Sequence, residues 1–191
     1  MTPPKIVAFS GSTRKGSFNT SLVKAAASAA TKAGASVDLI DLADYPFPIF
    51  NEDLEREQGL PEGVSQLKSL FAQADGFMIA SPEYNSAFSA LLKNTIDWCS
   101  RAESDDEPPL AAYSGKSALL LAASPGALGG LRGLYALRSL LQNMGVTVYA
   151  DMLAVRSAYE VFCEDCSLTE DRWAGKIEKI TSDYVTFTGR A

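Results

Sequence analysis

The sequence predicts an α/β domain in which a doubly wound sheet of five parallel strands, in the order 2-1-3-4-5, lies between two layers of helices. Uninterrupted apolar runs, such as residues 6–9 and 76–80, are typical of strands buried on both faces of a parallel sheet. Amphipathic stretches alternate with these runs along the chain. Several of the runs end in turns rich in Gly, Ser or Pro, and doubly wound sheets bind their ligands at such turns.

The predicted elements follow one another in regular alternation. Strands are predicted at residues 6–9, 36–42, 76–80, 116–123 and 147–155, and helices at residues 17–32, 64–74, 87–101, 131–143 and 168–184. Gly34 and Gly145 are expected to end the first and fourth helices. Prolines favour an extended form for residues 45–50. The acidic segments 54–63 and 104–109 are expected to be exposed loops.

Composition limits the classes of protein to consider. A chain of 191 residues, 47% of them hydrophobic, suffices for one α/β domain but not for two typical ones, so we predict a single domain over residues 1–191. The net charge of −6 opposes nucleic-acid binding, which needs a basic face. The sequence contains no signal peptide and no apolar stretch of membrane-spanning length. We therefore expect a cytoplasmic protein with no membrane partner.

The chain contains no histidine. Ser-His-Asp and Cys-His catalysis are therefore excluded, and so is zinc chemistry based on imidazole. An enzyme of this composition needs a cofactor, such as a flavin or a nicotinamide, that carries the reactive centre itself. We predict no catalytic side chain and no metal site.

The first turn, residues 11–17, has the composition of a phosphate-binding loop. Gly11 and Gly16 permit tight or positive-φ conformations, so that consecutive N–H groups can point at one anion. Arg14 adds a permanent positive charge with a planar set of donors, and the following helix adds the partial charge of its N-terminus. Further side-chain donors are Ser12, Ser17 and Asn19. The turn therefore predicts a phosphomonoester site.

A simpler interpretation is an ordinary turn in which Ser17 or Asn19 caps the helix. It leaves Arg14 and the remaining donors unexplained, so we favour the phosphate site. The spacing excludes two common loops. No lysine follows Gly16, as the P-loop of nucleotide hydrolases requires, and Thr13 stands where a dinucleotide-binding loop needs glycine.

Two more turns follow predicted strands. The second turn, residues 81–85, has the sequence SPEYN, and the third turn, residues 124–130, has the sequence SPGALGG. In the predicted strand order the first and third strands are neighbours with oppositely directed crossovers, so their carboxyl ends bound a crevice. A flat heteroaromatic ring attached to a phosphate would fit the donors of the first turn and the tyrosine and amide of the second.

The motifs GSTRKGSFN at residues 11–19 and PEYNSAFSALLKNTIDW at residues 82–98 together resemble the NAD(P)H-dependent FMN reductase family, which includes quinone, azo and chromate reductases. The family pattern is G-S-x-R-x-x-S-x-N, followed by P-E-Y-N and L-K-N-x-I-D-W, and the resemblance spans essentially the whole chain. It implies a flavodoxin-like fold and a two-step reaction. NADPH or NADH would reduce bound FMN, and a quinone, azo or metal-oxyanion acceptor would then oxidise it.

The resemblance also implies which residues bind FMN. The phosphate would be held by Ser12, Arg14, Ser17 and Asn19. The isoalloxazine and the ribityl chain would be lined by Pro82, Glu83, Tyr84 and Asn85, with Ser124 and Gly126 approaching the other side of the ring. Reductases of this kind often form dimers or tetramers, so a homodimer or homotetramer is expected. The aromatic segment 45–50, Phe88 and Trp98 could belong either to the core or to the interface between subunits.

The chain departs from the family pattern at one place. The family usually has Gly or Pro-Gly before the L-K-N motif, whereas this chain has Ser-Ala-Phe-Ser-Ala at residues 86–90. We expect Phe88 and the missing glycine to reshape the pocket beside the flavin, with more effect on the choice of substrate than on FMN binding.

Two other functions stay open at this point. A flavodoxin-type electron carrier resembles the same fold and is also acidic, but its phosphate loop has no arginine, so Arg14 argues against a carrier. A flavin-free regulatory or scaffold protein is the third possibility, because a fold does not determine an activity.

The cysteines offer one more motif. Cys163 and Cys166 have the spacing of a dithiol redox site or of half a zinc site. Only Cys99 remains to add to them, so a cysteine-rich zinc site cannot be completed within one chain. Nearby acidic residues disfavour the thiolate, and we favour an ordinary loop before the last helix.

Overall fold

The computed structural model describes residues 2–163, residue 168 and residues 171–190. The strands are β1 Lys5–Ser10, β2 Ser36–Ile40, β3 Gly76–Ala80, β4 Ser117–Ala123, β5 Thr147–Val148 and β6 Leu153–Val155. The helices are α1 Phe18–Lys32, α2 Glu52–Gln58, α3 Glu62–Gln73, α4 Ala90–Cys99, α5 Leu131–Asn143, α6 Ala158–Val161 and α7 Asp171–Thr188, with a short 3₁₀ turn at Leu42–Asp44.

All strand pairs in the sheet are parallel, and the strand order is β2-β1-β3-β4-β5, with β6 also paired to β4. The predicted flavodoxin-like order 2-1-3-4-5 is therefore confirmed. The central strands are buried on both faces because helices cover both sides. Along β1, Val7 and Phe9 pack into one core with α3 and α4, whereas Ile6 and Ala8 pack into a second core with α1 and α7.

The fifth strand position differs from the prediction, because two short strands occupy residues 147–155. β5 pairs with the start of β4 and β6 with its end. Between them, one amino group of the Arg138 guanidinium donates to the carbonyl oxygens of Tyr149 and Ala150, at 2.7 Å each. Those carbonyls are therefore engaged by a side chain of α5, and the strand is interrupted there.

The acidic segment 54–63 was wrongly predicted as a loop. It contains most of α2 and the start of α3. The Asn51 side chain caps α2 by accepting from the Asp53 N–H at 2.8 Å, and Gly59 ends the helix at φ 73°. Acidic residues in the first turn are favourable at a helix N-terminus, so the charges that suggested a loop support a short exposed helix.

Two predicted helix boundaries also shift. Helix α4 begins at Ala90 rather than at residue 87, because Ser89 caps it. Helix α7 extends to Thr188 rather than ending at residue 184. Within the part of the chain that the structure describes, no helix is both long and apolar enough to cross a membrane.

The L-K-N-x-I-D-W motif lies on α4 and holds the extended segment 45–50 in place. The Asn94 side chain accepts from the Phe50 N–H at 2.7 Å and donates to the Pro48 carbonyl at 2.9 Å. The buried Trp98 indole also donates to Pro48, at 2.8 Å. This half of the motif therefore has a clear structural role away from the three turns.

Candidate functional site

A crevice of about 380 Å³ lies where the three turns meet, at the carboxyl ends of β1, β3 and β4. Its lining comprises Ser12, Arg14, Ser17, Phe18, Asn19, Pro82, Glu83, Tyr84, Ala123, Ser124, Pro125 and Tyr159. Eight of the ten residues predicted to bind a cofactor are among them. The exceptions are Asn85 and Gly126, which lie on the exposed side of their turns.

Two aromatic residues that line the crevice, Phe18 and Tyr159, were not among the predicted site residues. Tyr159 packs edge-on against Phe18, with ring centroids 5.1 Å apart, and the Arg14 guanidinium lies 5.8 Å from the Phe18 centroid. Phe18 belongs to the first motif and could have been chosen from it. Tyr159 carries no sequence signal, because only the packing of α6 beside α1 brings it to the crevice.

The first turn is built to present backbone donors. Ser17 caps α1 by accepting from the Thr20 N–H at 3.4 Å, and Gly16 has the positive φ of 67° that lets the chain enter the helix. The amide N–H groups of Ser12, Thr13, Lys15 and Gly16 have no hydrogen-bond partner within the described part of the chain. Four backbone donors, the Arg14 charge and a helix N-terminus therefore converge on one turn.

Asn19 has a structural role that the sequence did not predict. Its buried side-chain amide makes two hydrogen bonds to the backbone of Ala123, donating to the carbonyl at 3.0 Å and accepting from the N–H at 2.9 Å. Both polar atoms of Asn19 are therefore engaged with the end of β4. The side chain joins the first turn to the third, and because its NH2 group has a second donor hydrogen, the predicted contact with a phosphate stays a prediction.

The second turn leads into a tight hairpin. Tyr84 and Ala87 exchange backbone hydrogen bonds of 2.9 and 3.1 Å, and Asn85 and Ser86 between them have φ values of 52° and 67°. This is the positive-φ geometry of a two-residue turn, which Asn tolerates better than most residues. The hairpin leaves the Tyr84 ring 56% exposed at the mouth of the crevice.

Phe88 does not line the crevice, and its predicted effect on the choice of substrate stays a prediction. Its side chain is half-buried, packs against the core on the α3 and α4 side of the sheet, and is absent from the crevice lining. In the segment without the family's glycine, Ser89 caps α4 and Ala90 is the first residue of that helix.

Glu83 joins the second turn to α5. One carboxylate oxygen accepts from the Arg132 guanidinium at 2.7 and 2.9 Å, and the other accepts from the Gly133 N–H at 3.1 Å. Burial alone would raise the pKa of Glu83, but the Gly133 N–H and the Arg132 guanidinium outweigh it, so that pKa lies below its ordinary value.

We expect Glu83→Gln to lower the free energy of unfolding at pH 7 by about 1–2 kcal/mol, the scale of a hydrogen bond to a charged group. The lowered pKa means that the ionised carboxylate is favoured by folding. Its contribution is complete above the ordinary carboxyl pKa of about 4.3 and is lost as the pH falls through the lowered folded value. Urea unfolding at several pH values should therefore show the difference between wild type and variant shrinking in acid. A constant difference from pH 7 to pH 3 would contradict the pairing.

The third turn is fixed by its backbone. The Ser124 N–H donates to Val155 at 3.0 Å, and the Ser124 carbonyl accepts from Ala158 at 3.1 Å. Gly129 and Gly130 have φ values of 63° and 92°. A Cβ at Gly129 would lie 2.8 Å from three backbone atoms of residues 154–156, so only glycine fits there.

A second depression, of about 590 Å³, lies on the outer side of the first turn and includes Lys15, Lys24 and Asp41. It is larger and more open than the crevice, but neither the second nor the third turn contributes to it. A phosphate attached to a planar ring would find no aromatic wall there. We therefore assign the candidate site to the crevice between the turns.

The residues of the crevice fit FMN. Arg14, the hydroxyls of Ser12 and Ser17 and the uncommitted N–H of Ser12 stand at one end, where a phosphate dianion needs donors. Proline and aromatic side chains, among them Pro82, Tyr84 and Pro125, line the rest, as a planar ring needs. Glu83 is the one carboxylate among the described lining residues, and Arg132 balances its charge.

The cysteines lie outside this site. Burial raises the pKa of the Cys99 thiol to about 12, so that Cys99 stays protonated. Cys163 is exposed, whereas Cys166 lies outside the described residues, so the predicted ordinary loop at residues 163–166 stays a prediction.

Comparisons with known proteins show the family to which the chain belongs. A model of the NADPH-dependent FMN reductase family matches residues 4–160. The NAD(P)H-dependent FMN reductase of Pseudomonas aeruginosa is 34% identical over 169 residues, which cover 88% of this chain and 86% of that protein. The quinone reductase of Escherichia coli K12 is 38% identical over 137 residues, which cover 72% of this chain and 69% of the relative.

A solved structure shows the same fold. The flavoenzyme NAD(P)H:acceptor oxidoreductase FerB of Paracoccus denitrificans superimposes with a TM-score of 0.82 over 98% of both chains, at 24% identity. Family membership favours an enzyme over the carrier and the scaffold, and the family's cofactors are FMN and NAD(P)H. The chain belongs to the NADPH-dependent FMN reductase family and is an NAD(P)H-dependent oxidoreductase.

Proposed function

We propose that this protein is a quinone reductase that holds FMN in the crevice between its three turns. When bound, FMN supplies the redox chemistry by accepting a hydride from NADPH or NADH and passing it to the acceptor. The observation that carries this proposal is the presence of Ser12, with its uncommitted N–H, and Arg14 in the same crevice as the exposed Tyr84.

The first turn would bind the phosphate. Ser12, Arg14 and Ser17 supply hydroxyl and guanidinium donors beside the unpartnered N–H groups of the turn. Asn19 contributes by holding the turn against β4, through its two hydrogen bonds to Ala123.

The other two turns would hold the ring. Residues 82–85, which include Tyr84 and Asn85, would line the isoalloxazine and the ribityl chain. Ser124 and Gly126 would approach the opposite side of the ring. With no histidine in the chain, the protein contributes orientation and hydrogen bonding, and no side chain has to titrate.

The acceptor class follows from the relatives. Proteins named quinone reductase or quinone oxidoreductase recur among them, at 36–38% identity in bacteria and plants. We propose quinones as the preferred acceptors, with azo compounds and metal oxyanions such as chromate as further candidates, because an exposed reduced ring tolerates many acceptors.

Steady-state turnover tests this proposal. Under anaerobic conditions, the protein loaded with FMN should oxidise more than one equivalent of NADPH or NADH only when a quinone is added, and removal of FMN should abolish this turnover. Replacing the quinone by an azo dye or by chromate ranks the acceptors. Binding of FMN without quinone-dependent oxidation of either nicotinamide would refute the proposed function.

We also propose a homodimer or homotetramer. Ile49 is 84% exposed on the segment 45–50, although Phe47 and Phe50 of the same segment pack against the core. A single exposed aliphatic side chain is common on protein surfaces, so the proposal rests on the family resemblance, and Ile49 is the residue at which it can be tested. Light scattering at micromolar concentration should give a multiple of the chain's 20.4 kDa, and Ile49→Asp should reduce it. A wild-type monomer would contradict the assembly.

A further inference from the structure

Ser89 follows the second turn, at the start of α4, and its side chain hydrogen-bonds both to α4 and to the first turn. Its side chain is buried, with 3% of the residue exposed. The hydroxyl accepts from the Leu92 N–H at 3.1 Å and so caps α4. It also donates to the carbonyl oxygen of Gly11 at 2.6 Å, across 78 positions of sequence. One hydroxyl therefore starts α4 and fixes the first residue of the first turn.

Gly11 allows this close approach. A Cβ on Gly11 would lie 2.9 Å from the Ser89 hydroxyl oxygen and 3.2 Å from the Leu92 Cβ. The Gly11 N–H donates to the Ala80 carbonyl at 2.8 Å. The backbone of Gly11 is therefore held through both its donor and its acceptor, by β3 and by α4.

The peptide bond transmits this constraint to Ser12. The Gly11 carbonyl and the Ser12 N–H belong to one planar trans peptide, so they point in opposite directions. Because Ser89 holds the carbonyl towards α4, the Ser12 N–H points away from α4. Ser12 lines the crevice, and its N–H has no partner within the described residues. Ser89 therefore aims a backbone donor that it does not touch.

We propose that Ser89 is a positioning residue for phosphate recognition, which makes the site prefer FMN over riboflavin, the same flavin without its phosphate. The inference rests on the proposed FMN site and adds a residue to it. Ser89 has no direct contact with the ligand in this account. It acts by orienting the Gly11–Ser12 peptide, so its effect is confined to the phosphate end of the crevice.

The test is the affinity of the Ser89→Ala variant for FMN and for riboflavin, measured by quenching of flavin fluorescence. We expect the dissociation constant for FMN to rise about tenfold, the effect of misdirecting one hydrogen bond to a charged group. The constant for riboflavin should change less than about twofold. The phosphorus NMR signal of bound FMN should also shift, and Ser89→Thr, which keeps the hydroxyl, should restore both values.

Two further variants separate positioning from general loss of stability. Asn51→Ala removes a helix cap of the same kind from α2, which contributes no residue to the crevice lining, and should leave both affinities unchanged. Ser89→Gly removes the hydroxyl while keeping a residue tolerated at helix caps, and should reproduce the FMN-specific loss if Ser89→Ala folds poorly.

The outcomes are distinct. Equal weakening of FMN and riboflavin binding, or no weakening of either, would overturn the positioning role while leaving the FMN site intact. A wild-type protein that binds neither flavin would instead refute the proposed function, and this inference with it.

Discussion

Replacing Arg14 by Ala is expected to weaken FMN binding about 10- to 100-fold, the range set by losing charge-assisted hydrogen bonds to a phosphate. Arg14 is exposed, lines the crevice and forms no ion pair with any described residue. Its guanidinium donates only to the neighbouring Lys15 carbonyl, at 3.3 Å. The side chain is therefore available to a ligand, and its removal should cost little folding stability.

The ligand and the variant both have matched controls. Riboflavin lacks the phosphate, so its affinity should hardly change in Arg14→Ala. Arg14→Lys should keep part of the FMN affinity, because lysine retains the positive charge but lacks the planar set of guanidinium donors. Arg56→Ala removes another exposed arginine, on α2, and should have no effect on either flavin. Isothermal titration at two salt concentrations should show a weaker salt dependence in Arg14→Ala. An unchanged FMN affinity would exclude Arg14 from the phosphate site.

Replacing Gly129 by Ala is expected to destabilise the protein by about 3 kcal/mol. The positive φ of 63° costs about 1–2 kcal/mol with any L side chain. The new Cβ would also lie 2.8 Å from backbone atoms of residues 154–156, which cannot move as a side chain could. Because this contact joins the third turn to β6, the loss of stability should be accompanied by weaker flavin binding.

Two other glycines make the prediction quantitative. Gly115 has a φ of 79° with open space around it, so Gly115→Ala should cost about 1 kcal/mol from backbone strain alone. Gly126 lies in the same turn as Gly129 without positive φ, and its Cβ would meet nothing closer than 3.6 Å, so Gly126→Ala should be within about 0.5 kcal/mol of wild type. Urea unfolding of the three variants should give this order. A Gly129→Ala variant as stable as Gly126→Ala would contradict the packing described for the third turn.

The three turns could be predicted from the sequence because each has a local chemical cause. Glycine, serine and arginine cluster directly behind apolar runs, and parallel strands place their carboxyl ends at one edge of the sheet. The strand order is the predicted one, and eight of the ten residues predicted to bind a cofactor are among those that line the crevice. What each residue does there depends on partners distant in sequence.

Asn19 and Glu83 illustrate this limit. The sequence and the family resemblance predicted contact of both residues with a cofactor, and the structure adds hydrogen bonds of their side chains with Ala123 and Arg132, respectively. Together with Ser89, they connect the three turns. Asn19 links the first turn to the third turn, and Glu83 links the second turn to α5, which follows the third turn. Ser89 links the first turn to α4, which follows the second turn. Such links depend on tertiary packing, and no local pattern of sequence contains them.

The split of the fifth strand position has the same origin. Residues 147–155 have a continuous strand pattern, but Arg138 binds two of their carbonyls from the neighbouring helix. The helix α2 was missed for a different reason, because its acidic first turn was interpreted as a solvated loop and not as a favourable helix N-terminus.

The most direct test of the central claim is an anaerobic stopped-flow experiment on the protein loaded with FMN. Mixing with NADPH, and separately with NADH, should bleach the flavin absorption band rapidly with at least one donor, and a second mixing with a quinone should restore the band. The faster donor identifies the nicotinamide preference. A flavin that binds in the crevice but stays oxidised with both donors would contradict the account and favour an electron carrier.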